Sequence, residues 1–203
     1  MTIPILIASS SRMRHTLLEE MQLPFIVINQ TADESIVPNM HTVEEAVRIV
    51  AERKMDAVQI PALYTHHVAY VITADTLGTD AHGNLYGKPS SHEQAKQFLR
   101  ALRGTNRMAT ALCVEKRMRA ESQGWHVEER ITQIVATSYV FDMSDAWIER
   151  YLKAVPEAMH ASGALTIEGY GAQFIKSITG SYTAVLGLPA YELRLALTTV
   201  GYF

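Results

Sequence analysis

Cysteine is almost absent: Cys113 stands alone among 203 residues. That excludes an intramolecular disulfide and fits a reducing compartment. Its surroundings, Met108 to Val114, read as a strand, so Cys113 is expected to pack in a core and not to act as a nucleophile. No apolar run approaches membrane-spanning length. The charged region, long apolar run and cleavage site of a signal peptide are also missing at the N-terminus. These absences lead to the expectation of a cytoplasmic protein with no membrane partner. Basic charge is in deficit, with 18 Lys and Arg against 21 Asp and Glu. Without a long Lys/Arg run, nucleic acid is not expected as a partner.

Several motifs are missing as well. There is no Gly-x-Gly-x-x-Gly at a strand–helix junction, which argues against a dinucleotide fold. The Walker pattern is absent, because Gly87-Lys88 is followed by Pro89. A triad of Ser9, Asp75 and a histidine lacks the Gly-x-Ser-x-Gly elbow that would support it. His66 and His67 are adjacent, so they would not face one way, and they read as loop histidines. No internal repeat, low-complexity tract or linker divides the chain. At 48% hydrophobic and 19% charged residues, the sequence fits one soluble domain over 1–203 with a substantial core.

What is present begins with Ile3-Pro4-Ile5-Leu6-Ile7-Ala8, a strand covered on both faces, which stops at Ser9-Ser10-Ser11. A helix follows, with serine as a preferred N-cap and Arg12 and Arg14 close behind. Free N–H groups at a helix start beside arginines suit an anion, most plausibly phosphate. An ordinary capped helix with solvated arginines is the alternative. Phe25 to Ile28 is a second strand, running into Asp33-Glu34, which are either solvated loop charges or hard oxygen ligands for a divalent ion. Thr42-Val43-Glu44-Glu45 is a capping box. In the helix it opens, the apolar stripe Val43, Val47, Val50, Ala57 has Lys54 in the missing position. A buried-face ammonium must snorkel or find an anion.

Tyr70 to Thr76 reads as an apolar strand ending in an acid, Asp75, a candidate for metal binding or base catalysis. Lys88, held between Gly87 and Pro89, is a cation on a constrained loop. Ser91 caps a helix with Ala95, Phe98, Leu99 and Leu102 inward. Arg107–Lys116 and Val127–Phe141 form two long antiparallel strands joined by a turn near Gln123-Gly124. Residues 142–152 carry a further capped helix. The glycine-rich stretch from Gly163 to Gly187 suggests tight turns or backbone close to a ligand, and Pro189 falls in the first turn of the last helix.

Taken in order, these pieces resemble the Maf family of nucleoside triphosphate pyrophosphatases. The resemblance is carried by Ala8-Ser9-Ser10-Ser11-Arg12-Met13-Arg14 with Leu17-Leu18, Asp33-Glu34, Ala51-Glu52-Arg53-Lys54, Ala74-Asp75-Thr76, Gly87-Lys88-Pro89, and Glu168-Gly169 through Gly180-Ser181-Tyr182 to Gly187-Leu188-Pro189. It implies an α/β fold of the Maf/ITPase-like kind: a bent, largely antiparallel mixed sheet flanked by helices, with two lobes around a cleft. It also implies hydrolysis of a nucleoside triphosphate to monophosphate and pyrophosphate with Mg²⁺ or Mn²⁺, and a homodimer. Carried over by position, Ser9, Ser11, Arg14, Lys54 and Lys88 bind substrate, Glu34 binds metal, and Asp75 is the metal-linked general base. The branch positions for base choice are Met13, Thr76 and Glu168. Arginine, threonine and glutamine stand there in the dTTP/UTP branch; tryptophan, glutamine and glutamate stand there in the 7-methyl-GTP branch. The mixture here favours a modified or non-standard purine-type base. The alternative function is a catalytically weak nucleotide-binding regulator of cell division and septum formation, motivated by the altered Arg12-Met13.

Overall fold

The computed structural model describes residues 3–35, 42–120 and 124–203. The apolar opening becomes strand β1 (Ile5–Ile7), with every side chain fully buried. It is held in parallel between β2 (Phe25–Val27) and β3 (Val68–Thr79), and a strand paired along both edges and covered on both faces has no place for polar side chains. Beyond β3 the pairing turns antiparallel through β4 (Gly104–Ala120), β5 (Gly124–Phe141) and β6 (Ile175–Thr179). The six strands form one open mixed sheet in the order β2-β1-β3-β4-β5-β6. Its antiparallel majority and flanking helices agree with the expected α/β architecture. The turn expected near Gln123-Gly124 falls partly outside the described residues; Gly124 itself begins β5.

Helices cover the sheet in three apolar clusters. Helix α2 (Val43–Asp56) lays Val47, Ala51 and Met55 on Val71, Ala111 and Cys113. Burial pushes the Cys113 thiol up to about 11, which leaves it a packing residue at neutral pH. Helices α1 (Arg12–Glu20) and α6 (Ala190–Thr199) bury Leu17, Leu18, Leu193 and Leu197 against Ile5, Ile72 and Leu112. Helices α3 (His92–Ala101) and α4 (Asp145–Ala154) close the third cluster over Tyr139 and Phe141. The glycine-rich stretch supplies 3-10 turns, β6, and the short helix α5 (Tyr182–Val185). Pro189 is the N-cap of α6 and lies outside its first turn.

One boundary differs from expectation in a way that matters. Strand β3 does not end at Asp75: it continues to Thr79, because β4 pairs with it as far as Arg107. Asp75 therefore sits inside a strand, opposite Ala111. The strand that does end is β1. Its last register pair with β3 is Ile7 with Ile72, followed by the Ala8 N–H donating to the Ile72 carbonyl. Past that point, no described strand pairs with the free edge of β3. The carboxyl-end rule for ligand sites thus applies here to β1.

Candidate active site

Where β1 ends, the chain crosses into α1 through the three serines. Ser11 is the N-cap, its hydroxyl accepting from the Arg14 N–H. The Arg14 side chain turns back into the protein and is only 8% exposed. Its Nε donates to the Gly187 carbonyl at 2.7 Å, Nη1 to Ser9 Oγ at 3.0 Å, and Nη2 to Thr76 Oγ1 at 3.2 Å. Burial lowers the guanidinium pKa, opposed by the nearby charges of Asp75 and Glu34, and arginine remains a cation in such a setting.

Lys54 resolves its misplacement on the apolar stripe by finding anions. The Thr42 hydroxyl accepts from Glu45 N–H and fixes the start of α2. Three turns later, Lys54 is buried to 6% exposure with Nζ 2.8 Å from Asp75 Oδ1 and 3.1 Å from Glu34 Oε2. Asp75 is rigid because its strand is paired. Glu34 lies on a loop and is steadied by Gln30, whose Nε2 donates to Glu34 Oε1 at 2.9 Å while its Oε1 accepts from Ala32 N–H at 2.6 Å.

Lys88 comes from a loop tied at two points. Its first knot is Asp80, a buried carboxylate. Asp80 Oδ1 accepts from the backbone N–H groups of His82 and Asn84, and Oδ2 from Asn84 Nδ2 at 2.9 Å and Tyr86 Oη at 2.6 Å. Burial alone would raise this carboxyl's pKa, but the hydrogen bonds from Tyr86, Asn84 and His82 outweigh it and hold the group well below the usual carboxylate range. The second knot is the Gly87 carbonyl, which accepts from Gly163 N–H at 3.0 Å. Immediately after the second knot, Lys88 is exposed and has no ion-pair partner among the described residues.

The three groups surround one pocket of about 330 Å³. Ser9, Ser10, Ser11 and Arg14 line one side, Gln30, Glu34 and Lys54 a second, and Lys88 with His160 a third. Asp75 reaches it through Lys54. Ser9, Ser11, Arg14, Glu34, Lys54 and Lys88 thus meet at one place, while Asp75 is not among the lining residues. The three base-choice positions are not among the lining residues. Met13 packs against the cluster under α1 and α6, the Thr76 hydroxyl is engaged with Arg14 and Thr110, and half-buried Glu168 precedes the 3-10 turn Gly169–Phe174. A larger depression of about 620 Å³ around Thr79, Arg107 and Ser138 contains none of the expected site residues. Sequence reasoning missed Gln30 and His160. Gln30 offered a signal, lying four residues before Glu34 in the same polar loop, whereas His160 ends a 3-10 turn (Pro156–His160) that no periodicity marks.

Asp75 and Glu34 present carboxylate oxygens to a single cation, and hard oxygens of this kind suit Mg²⁺ or Mn²⁺. No cluster of three His, Cys, Asp or Glu forms among the described residues, so an ion held here would complete its shell with substrate oxygens and water.

A family model described as Maf-like protein matches residues 4–200. A nucleoside triphosphate pyrophosphatase of Legionella pneumophila (strain Lens) is 32% identical, with 97% of this chain and 94% of the relative covered. A dTTP/UTP pyrophosphatase of Pelotomaculum thermopropionicum is 35% identical over 98% of this chain and 97% of its own length. That of Caldicellulosiruptor bescii is 32% identical, with 98% and 95% covered. The likeness therefore runs through every segment that builds the pocket, and the chain belongs to the Maf family.

Proposed function

We propose that the protein hydrolyses a nucleoside triphosphate to the monophosphate and pyrophosphate. The observation that carries this reading is the meeting of Ser9, Arg14, Glu34, Lys54 and Lys88 on one pocket, with Asp75 bonded to Lys54 behind it. The relatives named as pyrophosphatases support it.

A triphosphate brings about four negative charges. Backbone and hydroxyl donors of the serine loop, Lys54 and Lys88 supply fixed dipoles and cations for its oxygens. In this reading a water oxygen attacks the α-phosphorus, the bridge between the α- and β-phosphates breaks, and pyrophosphate leaves with the electron pair. Asp75 accepts the water's proton, while Lys54 keeps its carboxylate aimed at that spot. No serine or cysteine nucleophile is required. Glu34 and Asp75 would hold Mg²⁺ or Mn²⁺, which when bound supplies charge neutralisation for the polyphosphate. The site works in the cytoplasm within a homodimer, and Glu168 accepts N–H donors from the edge of a modified purine-type base.

The test is a pyrophosphate-release screen over standard and methylated nucleoside triphosphates with each metal, for the native protein and Asp75→Asn. Pyrophosphate from at least one substrate, with a loss of at least about 100-fold in the variant, is the expected result. Orthophosphate as the product, or undiminished turnover in the variant, would contradict the reading. Ligand binding without turnover across the full panel would favour the regulatory alternative.

A further inference from the structure

Behind the serine loop lies a polar chain whose proton directions can be worked out link by link. Thr110, in the middle of β4, is fully buried. Its Oγ1 lies 2.7 Å from the Ala184 carbonyl oxygen and 2.9 Å from Thr76 Oγ1. A carbonyl can only accept, so the one Thr110 proton goes to Ala184, and Thr76 must be the donor to Thr110. The one Thr76 proton is thereby used, and the Thr76 oxygen accepts from Arg14 Nη2. Arg14 can only donate, and its Nη1 donates to Ser9 Oγ, which also receives the Ser11 N–H at 3.3 Å. Two donors occupy both lone pairs of the Ser9 oxygen. What remains is the Ser9 proton, on a residue that lines the pocket.

We propose that Thr110 and Thr76 are positioning residues that hold the Arg14 guanidinium against Ser9, and that Arg14 with the Ser11 N–H leaves the Ser9 hydroxyl to meet the substrate as a donor. The proposal rests on the pyrophosphatase reading and deepens it. A hydroxyl locked as a donor matches an anionic phosphate oxygen and rejects a group that needs an acceptor. It also changes one role that the resemblance implies: Thr76 has no proton left to offer a nucleobase. Gly187 makes the network possible: its φ is +98°, and a Cβ there would stand 3.3 Å from Thr76 Oγ1 and 3.4 Å from Arg14 Nε.

The experiment compares Thr110→Val, which keeps the shape and loses the hydroxyl, with Thr110→Ser, Ser9→Ala and the double variant Ser9→Ala/Thr110→Val. Pyrophosphate release is measured with a substrate the native protein hydrolyses, and thermal unfolding is followed for each variant. Thr110→Val should lower kcat/KM about five- to tenfold, and Thr110→Ser should recover most of it. With Ser9 already replaced, Thr110→Val should cost nothing further, because both changes remove the same interaction. An equal penalty in both backgrounds, or no penalty in the native one, would overturn the proposal. If Thr110→Val does not fold, Thr76→Val breaks the chain one link nearer and is judged by the same criterion. If the native protein releases no pyrophosphate, the pyrophosphatase reading falls. The same variants are then compared by affinity for inorganic tripolyphosphate, where additive losses overturn the Ser9 proposal and non-additive ones uphold it.

Discussion

Asp80 shows how a residue that touches no substrate can govern one that does. Its four hydrogen bonds shape the turn that leads through Tyr86 and Gly87 to Lys88. Replacement by asparagine keeps the outline but removes the charge and the second acceptor oxygen for Tyr86 and Asn84. Because the folded carboxyl is held below its ordinary value, its stabilisation is full above the unfolded pKa of about 3.9 and fades as pH falls below that. Asp80→Asn should therefore be less stable than the native protein by about 1.5–3 kcal/mol at pH 7. The gap should hold steady above about pH 4 and narrow progressively below it, as read from urea unfolding between pH 3 and 7. A constant gap across that range would rule out the charge as the cause. Lys54 teaches a complementary lesson about what can be read early. Its place on an apolar stripe left it either to snorkel or to find an anion, and that it would find two carboxylates depended on a loop and a strand remote in sequence.

At the scale of elements, the segments legible in the sequence are those whose shape is set locally. The N-caps at Thr42 and Ser91 form as expected, and the alternation and length of β4 and β5 mark them as paired strands. The end of β3 was misjudged because nothing within Leu77-Gly78-Thr79 says whether a neighbour is there to pair with it. The run from Pro156 to Thr179 was illegible for a related reason. Its 3-10 turns and β6 are fixed by packing against α3, α4 and β5, with no period of their own. His160 was hidden in that run, yet it faces the same pocket as Lys88. An imidazole there adds a donor for the outer phosphates. His160→Gln should accordingly raise KM about threefold while leaving kcat within twofold, a split that steady-state kinetics would show. A fall in kcat with KM unchanged would assign the residue to the chemical step instead.

For the molecule as a whole, the sheet does more than cover the helices. Glu115 on β4 is completely buried and accepts from Arg117 Nε and from Arg130 Nε at 2.5 Å. Arg117 in turn donates to the Met55 carbonyl at 2.8 Å, and Arg130 pairs with Asp56. The centre of the sheet thus grips α2 immediately after Lys54. Glu115→Ala would leave two guanidiniums facing each other without their shared anion, an expected loss of about 3–5 kcal/mol in denaturant unfolding. Pyrophosphate release should weaken with it at temperatures where the native protein is fully folded. A variant as stable as the native protein would show that the grip is dispensable.

The bond from Arg14 Nε to the Gly187 carbonyl spans 173 positions, and it has a consequence for the life of the chain. During synthesis the serine loop emerges well before the oxygen that anchors its arginine, which follows 173 positions later. A nascent chain still tethered to the ribosome therefore carries the loop without its anchor. Nucleotides in the surrounding fluid meet a finished site only after translation has passed Gly187.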